Sequence, residues 1–353
     1  MRAMARMELQ PGMEIAEDIF SYQGELICPI NTVIDANLIA KLSRYSIMCV
    51  NIKEASDYAV TRFEKVRTSA QFAKFEVIYR NNLNAYKYII DDFLQNDHMI
   101  NVSYLLKIHD EIRSCAKTGE ELLNMLYYML PTEDNLTYAH CLNAALISNV
   151  FSIWLGLSKE DSQILTQCGF IYDIGKLKLP NELLWTPGRL SNDEYTRMQT
   201  HTLLGFDLIK NKNFNEHILR ATLQHHERCD GSGYPNHLKE EEIDVFAKYI
   251  GIVDSYEAMT SARTYRPSLH PFEVIQSFID SGLERYGYSI IIPIIQHLAH
   301  THMGHRVQLS DGSAADIILI NNQALTKPLV KLVDTGALVD MTKVPNLKIT
   351  GML

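Results

Sequence analysis

Several histidine and aspartate side chains lie on the apolar faces of segments with helical periodicity. Burying several such polar groups without a shared partner would cost several kcal/mol, whereas a metal ion provides that partner. Imidazole and carboxylate groups suit Fe, Mn, Zn and similar ions, and a carboxylate that bridges two ions suits hydrolysis of a phosphoester. The pattern therefore predicts a metal centre, and the candidate side chains are His140, Asp173, His201, His225 and Asp254.

The densest group of such residues is the segment from His225 to Pro235, which reads His-His-Glu-Arg-Cys-Asp-Gly-Ser-Gly-Tyr-Pro. Adjacent residues on a regular helix point about 100° apart, so two neighbouring ligands require a helix end. The Asp-Gly-Ser-Gly-Tyr-Pro run supplies that end, because glycine permits tight turns and proline cannot continue a helix.

The elements that must position these side chains are predicted to be helices between residues 132 and 300, with loops at 180–187 and 229–235. Two of the helices begin with the Ser-x-x-Asp/Glu pattern of a capping box, at Ser158 and Ser191. The predicted stripe after Ser191 runs from Tyr195 through His201 to Leu208 as one helix.

The rest of the chain divides into three further regions. Residues 1–55 are predicted to form a small mixed, β-rich unit, with strands at 25–30 and 47–52 around a helix at 35–45. Residues 56–130 contain no proline and show helical periodicity, which indicates a helical linker or signalling region. Residues 131–305 form the central helical domain, and 306–353 alternate apolar runs with turns, which predicts a small β unit.

Composition and charge exclude several classes of protein. The chain has 353 residues, 46% of them hydrophobic, and a formal charge of −9 from 33 Lys+Arg and 42 Asp+Glu. No Lys/Arg run supplies a basic surface, so we expect no nucleic-acid partner. The apolar stretches at 144–157 and 290–295 are too short or too interrupted to span a bilayer. Six cysteines without a Cys-x-x-Cys pair favour a reduced, cytoplasmic protein.

The central domain resembles the HD-GYP family, the helical metal-dependent phosphodiesterases of bacterial signalling that hydrolyse cyclic di-GMP. The resemblance covers approximately residues 132–300, and the His225–Pro235 segment is its most specific part. It implies a mainly α protein, an HD-domain helical bundle with a small α/β N-terminal unit and a small β C-terminal unit. The matching segments are Tyr138-Ala-His140, Asp173-Ile-Gly-Lys176, His201, His225–Pro235, Ile252-Val-Asp254 and Thr260–Pro267.

The resemblance also implies roles for individual residues. Asp173 would bridge two divalent ions, Fe or Mn, and Asp173 and Lys176 would be the catalytic residues. One ion would take His140, position 172 and Asp254, and the other would take His201, His225 and His226. Cyclic di-GMP would contact Lys176, Arg263, Arg266, Gly233, Tyr234 and Pro235. Protein partners of bacterial signalling are a further implication.

The sequence departs from the family pattern at one ligand position, where Tyr172 replaces the histidine that precedes Asp173. A neutral tyrosine is a poor ligand, because its ordinary pKa is about 10. Three arrangements are open: a weakened or mononuclear site, a two-metal site completed by water or another side chain, and a bond from Tyr172 to the metal. The function is accordingly either cyclic di-GMP hydrolysis, with activity reduced by Tyr172, or a catalytically impaired domain that senses cyclic di-GMP or binds a protein.

Overall fold

The computed structural model of the chain describes residues 2–21, 26–45, 47–53, 66–67, 69–129, 135–184, 190–261 and 269–353. The chain separates into two compact units, Met1–Lys65 and Val66–Leu353. Each unit has a hydrophobic core of its own. No helix among the described residues is long and apolar enough to cross a membrane.

The first unit contains two antiparallel strand pairs and one helix. Strand β1 (Arg2–Ala5) pairs with β4 (Cys49–Ile52), and β2 (Ile19–Phe20) pairs with β3 (Leu26–Cys28). Helix α1 (Ala36–Arg44) begins at Asp35, whose carboxylate accepts a hydrogen bond from the Leu38 amide. The mixed character predicted for this region is therefore confirmed. Strand β1 was not predicted, because its sequence Arg-Ala-Met-Ala lacks the β-branched and aromatic residues typical of strands.

Helices dominate the second unit from Ala70 to His300, and a sheet follows them. Helix α5 (Leu136–Trp154) lies centrally, and residues on most of its circumference are buried. Gly169 of α6 (Lys159–Ile171) allows the two helices to approach closely, since a Cβ atom at this position would lie 2.5 Å from the Ala145 Cα atom of α5. The helices up to this pair are α2 (Ala70–Asn96), α3 (Val102–Arg113), α4 (Gly119–Tyr128), α5 (Leu136–Trp154) and α6 (Lys159–Ile171).

The remaining helices complete the bundle around this pair. A capping box of Ser191 and Glu194 starts α8, as the sequence predicts. The stripe predicted as one helix from Tyr195 to Leu208 is two helices, because the chain turns at Thr200. These helices are α7 (Asn181–Leu184), α8 (Asn192–Gln199), α9 (His201–Ile209), α10 (Glu216–Gln224), α11 (Val245–Thr260), α12 (Pro271–Asp280) and α13 (Tyr288–His300).

A five-stranded antiparallel sheet ends the chain, with the strand order β8-β7-β6-β5-β9. Its inward residues, among them Val307, Ile317 and Val330, belong to the same core as the helices. The strands are β5 (Arg306–Leu309), β6 (Ala314–Leu319), β7 (Leu329–Leu332), β8 (Leu338–Asp340) and β9 (Ile349–Met352). The predicted fold class, mainly α with small β-containing units at both ends, is thus confirmed.

Candidate metal centre

Two groups of potential metal ligands meet inside the helical bundle. In each group, the three residues offer ligand atoms that all lie within 4.8 Å of one another. The residues come from α5, from the turn after α6, from α9, from the end of α10 and from α11, so five parts of the fold build the centre. The first group is His140, Asp173 and Asp254, and the second is His201, His225 and His226.

The carboxylate of Asp173 lies between the two groups. Its Oδ2 atom is 3.2 Å from the His140 Nε2 atom, and its Oδ1 atom is 3.3 Å from the His201 Nε2 atom and 3.7 Å from the His225 Nε2 atom. The side chain is fully buried, and its Oδ2 atom forms an ion pair with the Lys176 ammonium. A buried carboxylate requires compensation, which Lys176 provides at Oδ2 and a divalent cation would provide at Oδ1, beside the imidazoles of His201 and His225.

The second group is oriented by backbone carbonyls. The Nδ1 atom of His201 lies 2.6 Å from the Met198 carbonyl oxygen, and the Nδ1 atom of His225 lies 3.0 Å from the Ala221 carbonyl oxygen. A carbonyl only accepts hydrogen bonds, so both Nδ1 atoms carry the proton and both Nε2 atoms present lone pairs. These two Nε2 atoms are 3.2 Å apart. A cation between them is the arrangement that relieves the repulsion of facing lone pairs.

Burial keeps the imidazoles of this group neutral. It lowers the pKa of His225 to about 4 and also lowers the pKa values of His201 and His226. Neutral imidazole is the form that ligates metals, so these three side chains are ready to bind an ion at pH 7.

The helix end predicted at the histidine pair is observed. Helix α10 ends at Gln224, and His225 is its C-cap residue. His226 therefore leaves the helical direction, and its ring stacks on Tyr234 with 4.6 Å between the ring centres. Gly233 permits this fold-back, because a Cβ atom there would lie 2.4 Å from the His226 carbonyl oxygen.

The loop that follows is held by a carboxylate. Glu227 accepts hydrogen bonds from the amides of Asn236 (2.7 Å) and Leu238 (3.0 Å). Tyr234 and Pro235 lie between Glu227 and Asn236 in the sequence. These hydrogen bonds therefore close the loop that contains them, beside the second ligand group. Gly233, Tyr234 and Pro235 thus lie next to the centre, at the positions where the resemblance implies substrate contacts.

Lys176 supplies a positive charge at the shared carboxylate. It follows Asp173 by three residues in a 3-10 helix (Ile174–Lys178), and its Nζ atom forms an ion pair with the Asp173 Oδ2 atom. Burial disfavours the charged amine, but Asp173 outweighs burial and raises the pKa of Lys176 above its ordinary value. The charge of Lys176 is therefore retained at neutral pH. Arg263 and Arg266, the other predicted cationic contacts, lie outside the described residues.

Tyr172 reaches the first ligand group with its hydroxyl. The hydroxyl oxygen is 2.5 Å from the His140 Nε2 atom and 3.1 Å from the Asp254 Oδ1 atom. Burial raises the pKa of this fully buried phenol well above its ordinary value, and the carboxylates of Asp254 and Asp173 raise it further. Tyr172 is therefore a neutral hydrogen-bonding group, and its hydroxyl contacts the same two atoms that an ion in this group would need.

Sequence reasoning missed the residues that hold His140 from behind. The Glu257 Oε2 atom lies 2.5 Å from the His140 Nδ1 atom, and the Asn143 amide nitrogen donates to the Glu257 Oε1 atom at 2.9 Å. A signal was present, because Asn143 follows His140 by three residues and Glu257 follows Asp254 by three. On a helix this spacing places both pairs on one face.

Part of this chain is similar in sequence to known proteins. Residues 125–290 match the family model described as HD domain. A cyclic di-GMP phosphodiesterase of Thermotoga maritima is 32% identical over 196 residues, which are 51% of this chain and 53% of that protein. The 3'3'-cGAMP-specific phosphodiesterase 1 of Vibrio cholerae is 33% identical over 159 residues, which are 44% of this chain and 37% of that protein. The chain thus spans about half of the first relative and less of the second.

A solved structure of an HDG"Y"P protein from Bdellovibrio bacteriovorus has a similar fold. The TM-score is 0.52 at 15% sequence identity, and the match covers 84% of this chain and 99% of that one. At this identity the likeness concerns the fold alone.

Proposed function

We propose that this chain, which carries an HD domain at residues 125–290, is a metal-dependent phosphodiesterase of the HD-GYP type that hydrolyses cyclic di-GMP. The observation that carries the proposal is the buried Asp173 carboxylate between two ligand groups, with the Lys176 ammonium in contact with it. The names of the relatives direct the choice of substrate towards a cyclic dinucleotide.

The mechanism follows from what these side chains can hold and donate. Divalent cations, when bound, polarise phosphoryl oxygens and lower the pKa of water. His201 and His225 present their Nε2 lone pairs because backbone carbonyls hold both Nδ1 protons. Lys176 is positioned to bind a phosphate oxygen, where its ammonium stabilises negative charge and offers a proton to the leaving oxygen. The burial of Asp173, His201 and His225 excludes bulk water from this region.

We propose Fe(II) or Mn(II) as the ions, as the resemblance to the HD-GYP family implies. The ligand groups contain only imidazole and carboxylate, and the thiolates typical of closed structural zinc sites are missing from both. Asp173 and the second group together provide four residues for one ion. The first group provides His140, Asp173 and Asp254 for another, in competition with the Tyr172 hydroxyl.

A second candidate function is cyclic di-GMP sensing by a catalytically impaired domain, with the signal passed to a protein partner. The contact of the Tyr172 hydroxyl with the His140 Nε2 atom favours it. If that contact keeps an ion out of the first group, the single ion held by the second group could bind a phosphate without completing the two-ion arrangement for hydrolysis.

The deciding experiment measures product formation. The full chain would be purified without oxygen, loaded with Fe(II) or Mn(II), and incubated separately with cyclic di-GMP and 3'3'-cGAMP, with the products separated by chromatography. We expect hydrolysis of cyclic di-GMP that is abolished by Asp173→Asn. Asp311→Asn, a matched change in the exposed turn between β5 and β6, should leave the rate unchanged.

A Tyr172→His variant separates the two functions. Hydrolysis by the unaltered protein supports the enzyme, whereas binding without hydrolysis, together with hydrolysis by Tyr172→His, supports the sensor. If neither protein binds nor hydrolyses either dinucleotide when loaded with metal, both proposals are wrong.

A further inference from the structure

A buried chain of hydrogen bonds connects helix α2 to the first ligand group. The Tyr79 hydroxyl of α2 donates to the Asn143 Oδ1 atom at 2.7 Å, and the Asn143 Nδ2 atom donates to the Glu257 Oε1 atom at 2.9 Å. The other oxygen of Glu257 lies 2.5 Å from the His140 Nδ1 atom. The Nε2 atom on the other side of the same imidazole ring lies next to the carboxylates of Asp173 and Asp254.

The direction of each hydrogen bond in this chain is determined. The carboxylate of Glu257 is surrounded by groups that donate, namely the Asn143 Nδ2 atom, the Ser261 hydroxyl and the imidazole of His140. The ionised carboxylate only accepts, so Asn143 must turn its NH2 group towards Glu257 and its oxygen towards Tyr79. His140 must likewise direct an N–H group from Nδ1 at Glu257. A ligating histidine held in this way keeps its other nitrogen towards the ion.

Helix α2 holds the first member of this row of hydrogen bonds, Tyr79, in place. Its buried face packs on the bundle through Phe75, Tyr79 and Tyr86, and the Tyr86 hydroxyl donates to the Phe170 carbonyl oxygen at the end of α6. The helix begins at Ala70, close in sequence to the boundary between the two compact units at residues 65 and 66. A shift or rotation of α2 would withdraw the Tyr79 hydroxyl from Asn143.

We infer that Tyr79 is a positioning residue of the metal centre, which acts through Asn143 and Glu257 on the orientation of His140. The docking of α2 thereby sets the metal affinity of the first ligand group. This inference rests on the proposed metal centre, but it does not depend on which cyclic dinucleotide is the substrate. It gives α2 a means of regulating the centre through Asn143 and Glu257, neither of which belongs to the two ligand groups.

The test measures metal affinity rather than turnover. Free Mn(II) would be followed by electron paramagnetic resonance during titration of the full-length, metal-stripped protein. Outer partners of a ligating histidine commonly contribute 10- to 100-fold to metal affinity, so we expect Glu257→Gln to weaken binding by roughly that factor. Tyr79→Phe removes one neutral hydrogen bond further out and should weaken binding by about 3- to 10-fold.

A double variant and a matched control distinguish an effect through these hydrogen bonds from a general loosening of α2. Because both residues act along one path, Tyr79→Phe should add nothing to Glu257→Gln. Tyr86→Phe removes another buried hydroxyl from the same helix. Its partner is a backbone carbonyl that does not belong to the hydrogen-bond path from Tyr79 to His140, so we expect Mn(II) affinity within about twofold of the unaltered protein.

Two results would overturn the inference: equal losses of affinity in Tyr79→Phe and Tyr86→Phe, or additive losses in the double variant. Absence of Mn(II) binding by the unaltered protein would remove the metal centre and this inference together. If the Tyr79 effect is observed but cyclic di-GMP stays intact, the inference holds and only the proposed reaction fails.

Discussion

Acidification should destabilise the metal-stripped protein between pH 6.5 and 4, because its buried imidazoles are neutral in the folded state. His225 titrates at about 4 when folded, whereas an unfolded histidine titrates at about 6.5. In this window the unfolded chain binds more protons, so the free energy of unfolding falls as the pH falls. Each pH unit is worth about 1.4 kcal/mol per proton, so His225 alone accounts for about 3 kcal/mol over the window.

The other histidines of the centre differ in their effect on this slope. Burial also lowers the pKa values of His201 and His226, so both add to the loss. For His140, burial opposes the charge, but the carboxylates of Glu257, Asp173 and Asp254 outweigh burial and raise its pKa well above the ordinary value. His140 is consequently protonated in the folded state throughout, whereas the unfolded chain takes up this proton near pH 6.5. It therefore opposes the loss of stability at the start of the window and adds no slope below about pH 5.5.

The assay is urea unfolding followed by far-ultraviolet circular dichroism at half-unit pH steps from 7 to 5, with a chelator present. Added Mn(II) should shift the unfolding transition of the unit that holds the centre, and this shift identifies that transition. His225→Gln removes one titrating imidazole, so between pH 6.5 and 5 its profile should be flatter than that of the unaltered protein by about 1 kcal/mol per pH unit. Parallel profiles for the two proteins would refute the reasoning.

Three further predictions concern packing, capping and the metal itself. Gly175→Ala would place a Cβ atom 2.0 Å from the His201 carbonyl oxygen and should lower Mn(II) affinity and the melting temperature. Gly351→Ala, whose Cβ atom would lie 4.0 Å from its nearest neighbour, should change neither in the same assays. Ser191→Ala removes the capping box of α8 and should cost about 1 kcal/mol in urea unfolding; no loss would mean that the cap is dispensable. Mn(II) at 100 times its dissociation constant should stabilise the protein by about 2.7 kcal/mol, and an unchanged melting temperature in calorimetry would contradict binding to the folded state.

The parts of the centre that depend on local sequence could be predicted. Apolar periodicity places His140 and Asp254 on the inner faces of α5 and α11, and the His225-His226 pair requires the helix end that the structure has at Gln224. The turn at Thr200 was missed, since a helical stripe continues through it and the periodicity of apolar residues does not reveal a one-residue break.

The parts that depend on tertiary structure could not be predicted. The substitution at Tyr172 is visible in the sequence, but the partners of its hydroxyl, His140 and Asp254, lie 32 and 82 residues away and meet it only in the folded bundle. The Tyr79–Asn143 hydrogen bond joins residues 64 positions apart, for the same reason. Glu257 is an intermediate case, because its spacing from Asp254 indicates the shared face but not the contact with His140.

The ligands span the chain from His140 to Asp254, and the two groups differ in how far apart their members lie. The end of α10 and the start of α9 supply the whole second group, whereas the first group draws on α5, the turn after α6, and α11. During synthesis the amino-terminal part of a chain emerges first, so His140 and Asp173 are exposed well before Asp254 has been added. The first group therefore lacks one of its three ligands until α11 has been made and has packed against α5. Capture of an ion by this group is deferred until the bundle has closed, so an ion bound there marks a fully folded domain.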